Sequence, residues 1–393
     1  MSTKYTRKIS FNEKLWVAAD RILPPFTNNM ILEGHGTIDF QQLKSAVEAA
    51  SEANPGSRLV LRGVLNNARW VDSGKCPRVR EVDGSGWPGF SSEGAPYLLE
   101  PHAPVMEGPL GDVILIHGNP LRLSFRTHHA IMDGRGTMLW VEDIFRALRN
   151  ETIIGSHSTL TDMDIPMPFR NDSKISNANE CVSPTGPSAG KERGIIWIRR
   201  QIEGRFRNLV AQVAVLTAAA ARTHSNGKVI FNVPVDRRTA EMPLSTANLS
   251  IGMNIEVPPG TLPDALADEI KKQVNNPGRN MGFLLRRLYP FISTEIIVLA
   301  LKSAGNRMLA SNRYPMSGVI SNLGKIPLER FTGGGFQAET SFLIPLNAGF
   351  IPLFFTLSGG RDVVEIILGM PQVLANSGRI EALMEHVVSG LVS

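Results

Sequence analysis

Residues 128–134 read His128-His129-Ala130-Ile131-Met132-Asp133-Gly134. From this chain's own frequencies of His, Asp and Gly, the pattern His-His-x-x-x-Asp-Gly arises by chance in roughly one of two thousand chains of this length. Composition does not account for it. Two adjacent imidazoles can be a metal pair, parts of a capping turn, or packed core histidines; on a strand they point to opposite faces, which weakens the metal reading. The other chemistry open to them is proton transfer. A strand end would present one imidazole to a cleft while Asp133 and Gly134 form the tight turn that holds it. A base held that way accepts a proton near neutral pH.

Other patterns fail on context. Gly84-Ser85-Gly86-Trp87-Pro88-Gly89 spells a dinucleotide fingerprint, but Pro88 stands where a helix should start and no strand feeds it. Gly186-Pro187-Ser188-Ala189-Gly190 spells a nucleophile elbow inside a linker-like stretch. Gly333-Gly334-Gly335 lacks the Lys and hydroxyl residue of a phosphate loop and reads as a turn. His35, His102, His117, His157, His224 and His386 are scattered singly, and Cys76 and Cys181 are the only cysteines, which excludes a disulfide framework and a multi-thiolate zinc site.

The elements that must position the motif are legible in part. Residues 112–117 and 121–127 around Gly118-Asn119-Pro120 form a hairpin that leads into His128, and Val141, Ile144, Phe145 and Leu148 mark the buried stripe of a following helix. Asp39 caps a helix over 40–53, with Phe40, Leu43, Ala46, Val47 and Ala50 at helical spacing until Pro55 and Gly56. A short helix is expected near 12–20 and an extended segment at 30–34. Residues 58–65 and 68–72 read as a hairpin turning at Asn66 and Asn67. Residues 73–111, dense in Gly, Pro and Ser, read as a long loop.

The second half opens on a strand at 195–198 and a helix over 206–224, followed by a strand at 229–235. Helices at 264–274 and 296–309 come next, then strands at 318–321, 351–358 and 363–368, and a last helix after Ser377. The 393 residues, 42% hydrophobic and 20% charged, divide into an N-terminal lobe 1–165, a linker 166–193 and a C-terminal lobe 194–393. Both are α+β around antiparallel strands. Residues 209–221, the longest nearly apolar stretch, are too short to span a bilayer, and no secretory signal is visible, so a cytoplasmic protein is expected.

Net charge is uneven: +1 over 1–150, −3 over 151–190 and +7 over 191–393. Without a nucleic-acid motif or interleaved aromatics, that excess suits an acidic protein or a phosphate-bearing substrate better than a nucleic acid.

The His128–Gly134 motif resembles that of the CoA-dependent acyltransferase superfamily, which includes chloramphenicol acetyltransferase, plant-type HxxxD acyltransferases and nonribosomal peptide synthetase condensation domains. Three further segments are similar and in order: Leu32-Glu33-Gly34 through Asp39, Leu43, Ala46 and Pro55; Val233-Pro234-Val235-Asp236-Arg237-Arg238; and Ile320-Ser321-Asn322-Leu323-Gly324. Because the motif ends the first third and a second lobe follows, the two-lobed branch fits. The Asp-Phe-Gly-Trp-Gly segment of plant-type enzymes has no match, Ser358-Gly359-Gly360 being nearest, so a free-standing condensation-like enzyme ranks first.

What the resemblance implies is two chloramphenicol-acetyltransferase-like lobes forming a pseudo-dimer with a tunnel between them. An acyl thioester of phosphopantetheine on a carrier protein, or of CoA, would meet an amine or alcohol acceptor at His129, the general base or positioning group. Gly134 would offer its amide to the oxyanion, Asp133 would pair structurally with Arg238 across the lobes, and His128 would pack the loop. Asn322 would either bond the thioester arm or acceptor, or be a buried strand amide. The expectation includes a monomer with no permanently bound cofactor and no metal, and an acidic carrier docking on the basic residues Lys191, Arg193, Arg199, Arg200, Arg205 and Arg207. Two alternatives stand beside it: an acyl-CoA-dependent O- or N-acyltransferase of the polyketide-associated or alcohol type, and a noncatalytic carrier-binding scaffold.

Overall fold

The computed structural model describes residues 4–165, 180–275, 288–346, 349–360 and 362–393; half of the expected linker, 166–179, lies outside them. The first lobe runs β1 (Thr6–Lys8), α1 (Phe11–Ile22), β2 (Thr27–Gly36), α2 (Phe40–Ala53), β3 (Leu59–Arg62), β4 (Arg69–Asp72), β5 (Arg78–Asp83), β6 (Gly111–His117), β7 (Leu121–His128) and α3 (Gly134–Leu148). Helix starts follow local chemistry. Ser10 and Glu13 close a capping box on α1, Asp39 accepts from the Gln42 amide at α2, and Asp133 accepts from the Gly136 amide at α3.

The second lobe runs β8 (Ile195–Glu203), α4 (Leu209–His224), β9 (Ile230–Asp236), β10 (Ser250–Glu256), α5 (Pro263–Val274), α6 (Thr294–Ser311), β11 (Gly318–Lys325), β12 (Phe336–Ile344), β13 (Phe354–Gly359), β14 (Val363–Pro371), α7 (Gln372–Ala375) and α8 (Arg379–Val392). Among the described residues no helix is long and apolar enough to cross a membrane.

Sheet order shows the two halves to be copies of one plan. In the first lobe β5 pairs parallel with β6, β6 antiparallel with β7, and β7 antiparallel with β2. In the second, β11 pairs parallel with β13, β13 antiparallel with β14, and β14 antiparallel with β8. A helix follows the corresponding strands in each: α2 and α4 after the first, α3 and α7–α8 after the last. This is the mixed α+β, two-lobed architecture expected from the sequence. After β14, however, the chain reads Gln372-Val373-Leu374-Ala375. The first lobe alone has histidines at this place.

The lobes exchange edges. β12 leaves the second lobe and extends the first lobe's sheet by pairing antiparallel with β2, from Phe336 opposite Gly36 to Ile344 opposite Asn29. At the equivalent edge of the other sheet, Ser91 of the first lobe bridges Ile198 on β8, and the Arg199 amide donates to the Phe90 carbonyl. A division at one point in sequence therefore cuts across the sheets. Where the two edges meet, Arg199 is buried and bonds Glu365 at 2.7 Å and Glu33 at 2.8 Å, Glu33 bonds Arg122 at 2.7 Å, and the Arg199 guanidinium lies 3.8 Å from the Phe342 ring centre. Arg199 thus belongs to a lobe-joining ion network, a correction to its place among surface cations for a carrier.

Three local expectations also change. The loop expected over 73–111 contains β5, whose Arg-Val-Arg-Glu-Val-Asp alternation is that of a polar edge strand. β10 and β12 were not visible as strands in the sequence. In the β3–β4 hairpin the left-handed residues are Gly63 (φ 75°) and Leu65 (φ 50°), not Asn66 and Asn67.

Candidate active site

β7 delivers His128 and His129 to the end of the first sheet, beside Thr27 of β2. Alternation sends the two rings apart. His128 is fully buried; its Nδ1 accepts from the Ala130 amide at 3.1 Å, so its proton sits on Nε2, 3.6 Å from Asp20 Oδ2. The Asp20 Oδ1 in turn accepts from the Phe26 amide at 2.8 Å.

His129 is half-buried and stacks on Trp16 of α1, ring centres 5.4 Å apart, with Phe26 at 5.6 Å on a tilted plane. Its Nδ1 lies 3.1 Å from the Met132 carbonyl, which can only accept, so Nδ1 carries the hydrogen and the Nε2 lone pair is free among the described residues. Burial pushes its pKa down from the usual 6.5 to about 4, against the opposing pull of Asp133. The ring is therefore neutral at pH 7.

The backbone around it is pinned from both lobes. Phe26 O accepts from the His129 amide at 3.0 Å, Asn28 Nδ2 donates to Met132 O at 2.7 Å, Arg7 donates to Ile131 O at 3.2 Å, and Asn248 of the second lobe donates to His129 O at 2.9 Å.

Asp133 points away from this chemistry. Its Oδ1 accepts from the Gly136 amide (2.7 Å) and Arg238 Nη2 (3.0 Å); Oδ2 accepts from Arg238 Nη1 (3.1 Å), the Leu249 amide (2.9 Å) and Ser250 Oγ (2.9 Å). Five donors saturate a carboxylate. Burial alone would raise its pKa, but Arg238 and the amides hold it below the ordinary carboxylate range. The pair joins the lobes, since Arg238 follows β9 and also bonds Asp236 and the Ser245 carbonyl. Close approach is required here: a Cβ on Gly136 would stand 2.1 Å from the Thr246 carbonyl oxygen.

Because Asp133 caps only Gly136, the first amides of α3, at Gly134 and Arg135, donate to no protein acceptor among the described residues. They leave a partly positive helix end beside the imidazole. A Cβ on Gly134 would stand 3.3 Å from Leu343 of β12 and 3.5 Å from Leu323 of β11, so second-half strands wall this point.

Asn322 is not brought to the site. Leu323 faces Gly134, and alternation along β11 turns Asn322 to the opposite face, where it is exposed and accepts from the Gly324 amide at 2.9 Å. There it lines a cavity of about 350 Å³ with Phe206, Leu209, Ile270 and Lys271, away from His129. The buried strand amide expected of it is corrected by this exposure. Trp16, Phe26, Asn28 and Asn248 were missed in the sequence. No local pattern marks them, because each acts through a chain-distant contact.

The neutral ring has a measurable consequence. Between pH 6.5 and about 4 the unfolded chain protonates this histidine and the folded one does not, so stability falls as pH drops through that window. The contribution is about 2–3 kcal/mol. In denaturant unfolding at pH 7 and near pH 4.5, the wild type should lose that much more than His129→Gln. Equal losses would show that the imidazole is not held neutral.

No protein-family model matches the sequence, and no curated protein matches it. Solved structures do. The starter condensation domain of rhizomide synthetase, in a variant crystallised with C8-CoA, aligns over 98% of this chain and 94% of that one at 14% identity with a TM-score of 0.68. The fold is that of a condensation domain. The epimerization domain from the third module of tyrocidine synthetase B aligns over 99% and 97% at 13% identity with a TM-score of 0.59. Both likenesses run over nearly the whole chain and are likenesses of fold.

Proposed function

We propose that the protein is an acyltransferase that moves an acyl group from a thioester to an amine or hydroxyl acceptor at His129. The observation that carries this reading is the His129 imidazole itself: neutral, fixed in one tautomer by Met132 O, with Nε2 free among the described residues and the unpaired first amides of α3 following in the same turn of chain. In the reaction Nε2 takes the proton of the acceptor as its nitrogen or oxygen attacks the thioester carbonyl. The Gly134 amide donates to the oxygen of the tetrahedral intermediate. Collapse breaks the carbon–sulfur bond, and the imidazolium returns its proton to the leaving thiolate. Asp133 and Arg238 hold the lobes in register around that point, and His128 with Asp20 packs beneath it. A base with so low a pKa is weak, so its work lies mainly in placing the acceptor and catching its proton in the transition state.

The donor thioester is assigned to the phosphopantetheine arm of a carrier protein. Lys191, Arg193 and Arg207 remain exposed for an acidic partner, whereas Arg205 is tied to Asp362 at 3.0 Å. The neighbour crystallised with C8-CoA favours keeping free CoA as a second donor reading. Single-turnover assays with carrier-linked and CoA-linked acyl groups at two salt concentrations test both. Salt-sensitive transfer from the carrier alone supports the first, equal transfer from CoA supports the second, and absence of transfer from either leaves the scaffold alternative.

A further inference from the structure

One face of the molecule carries charges and apolar side chains that the site does not use. In the sheet β1–β4–β3, Lys8 stands opposite Arg69 and Arg69 opposite Arg62, while the alternate row of Arg7, Trp70 and Leu61 is turned inward and buried. Three like charges in direct cross-strand register repel. All three are exposed, none is ion-paired among the described residues, and Arg62 and Arg69 donate only to backbone carbonyls.

At the tip of the same hairpin Val64 is 74% and Leu65 43% exposed, and Leu65 is held at φ 50°, a left-handed conformation disfavoured for a leucine. The turn Leu65–Asn67 packs against the turn Tyr289–Phe291 of the second lobe, where Leu288 and Phe291 are 50% and 65% exposed. An apolar patch therefore runs across both lobes beside an uncompensated cationic row. It borders the seam: Lys14 of α1 donates to the carbonyls of Tyr289, Pro290 and Ile292, two residues before the Trp16 that stacks on His129.

We propose that this face is a peripheral docking surface for an anionic lipid bilayer. The apolar side chains stand at turn tips flanked by cations, which suits a fluid apolar layer beneath negative headgroups better than the shaped surface of a folded protein. Charge complementarity selects anionic lipid. The patch lies outside the residues placed at His129, so this inference stands or falls apart from the acyl-transfer reading.

The test is sedimentation of the full chain with vesicles of phosphatidylcholine, with or without about a third phosphatidylglycerol, at low and high salt. Binding is expected to the anionic vesicles and to weaken with salt. Lys8→Gln/Arg62→Gln/Arg69→Gln should bind them about a hundredfold less well. Val64→Ser/Leu65→Asn/Phe291→Ser should lose about tenfold, Asn being tolerant of the left-handed turn. Circular dichroism and thermal unfolding should match wild type for both, since every changed side chain is exposed. Wild-type protein that stays in the supernatant with anionic vesicles overturns the proposal, as does undiminished binding by the charge variant. Binding to polyglutamate without binding to vesicles would reassign the face to an acidic protein.

Discussion

Replacing His129 by alanine is expected to lower acyl transfer by about a hundred- to ten-thousandfold while leaving the fold in place. The ring is half-buried, and its side chain makes one hydrogen bond, to Met132 O, which Asn28 also holds. Its backbone contacts to Phe26 and Asn248 survive the substitution. Loss of the ring removes the free Nε2 and one of the two aromatic rings stacked on Trp16, the other being Phe26, but no lobe-joining bond. The measurement is thioester consumption under single-turnover conditions, with circular dichroism as the control. Undiminished turnover would remove His129 from the mechanism. The second lobe has Gln372-Val373-Leu374-Ala375 at the equivalent place, so no imidazole stands there.

Replacing Arg238 by alanine is expected to act in the opposite way, costing about 3–5 kcal/mol of folding stability. Asp133 is fully buried, and Arg238 supplies two of its five hydrogen bonds together with the only positive charge that touches it among the described residues. Without the guanidinium a buried carboxylate keeps three donors and no counter-charge. Asp133→Asn should be milder: its amide oxygen still accepts the cap from Gly136 and Arg238 keeps Asp236 as a counter-charge, although the new NH2 meets the donors Arg238 Nη1 and the Leu249 amide, and those two bonds are lost. Chemical denaturation of both variants checks the ranking. A fully stable Arg238→Ala protein with lost activity would move this pair from architecture into the chemistry. So would Asp133→Asn with wild-type stability and no turnover.

The division of labour follows from duplication. Two copies of one sheet plan, each lending an edge to the other, make a seam; one copy carries the imidazole while the other supplies Arg238, Asn248, Leu249 and Ser250. The buried Arg199, Glu33, Glu365 and Arg122 network stands where the edges cross and fixes their register, at the far end of β2 from His129.

The features legible in the residue pattern are local and periodic. The His128–Gly134 spacing, the β6–β7 hairpin that feeds it, the stripe of α3 and the capped α2 depend on neighbours within a few residues, and each stands where pattern places it. The pairing of Asp133 with Arg238 was legible through resemblance. Tertiary structure alone decided the rest. β12 reads as an ordinary stretch until β2 offers it an unpaired edge, and β5 reads as loop because an edge strand needs no apolar alternation. Arg199 looks like a surface cation until Glu33 and Glu365, each 166 residues away, surround it. The imidazole's low pKa comes from burial by Trp16 and Phe26, contacts no spacing rule predicts, since desolvation depends on which distant surfaces meet.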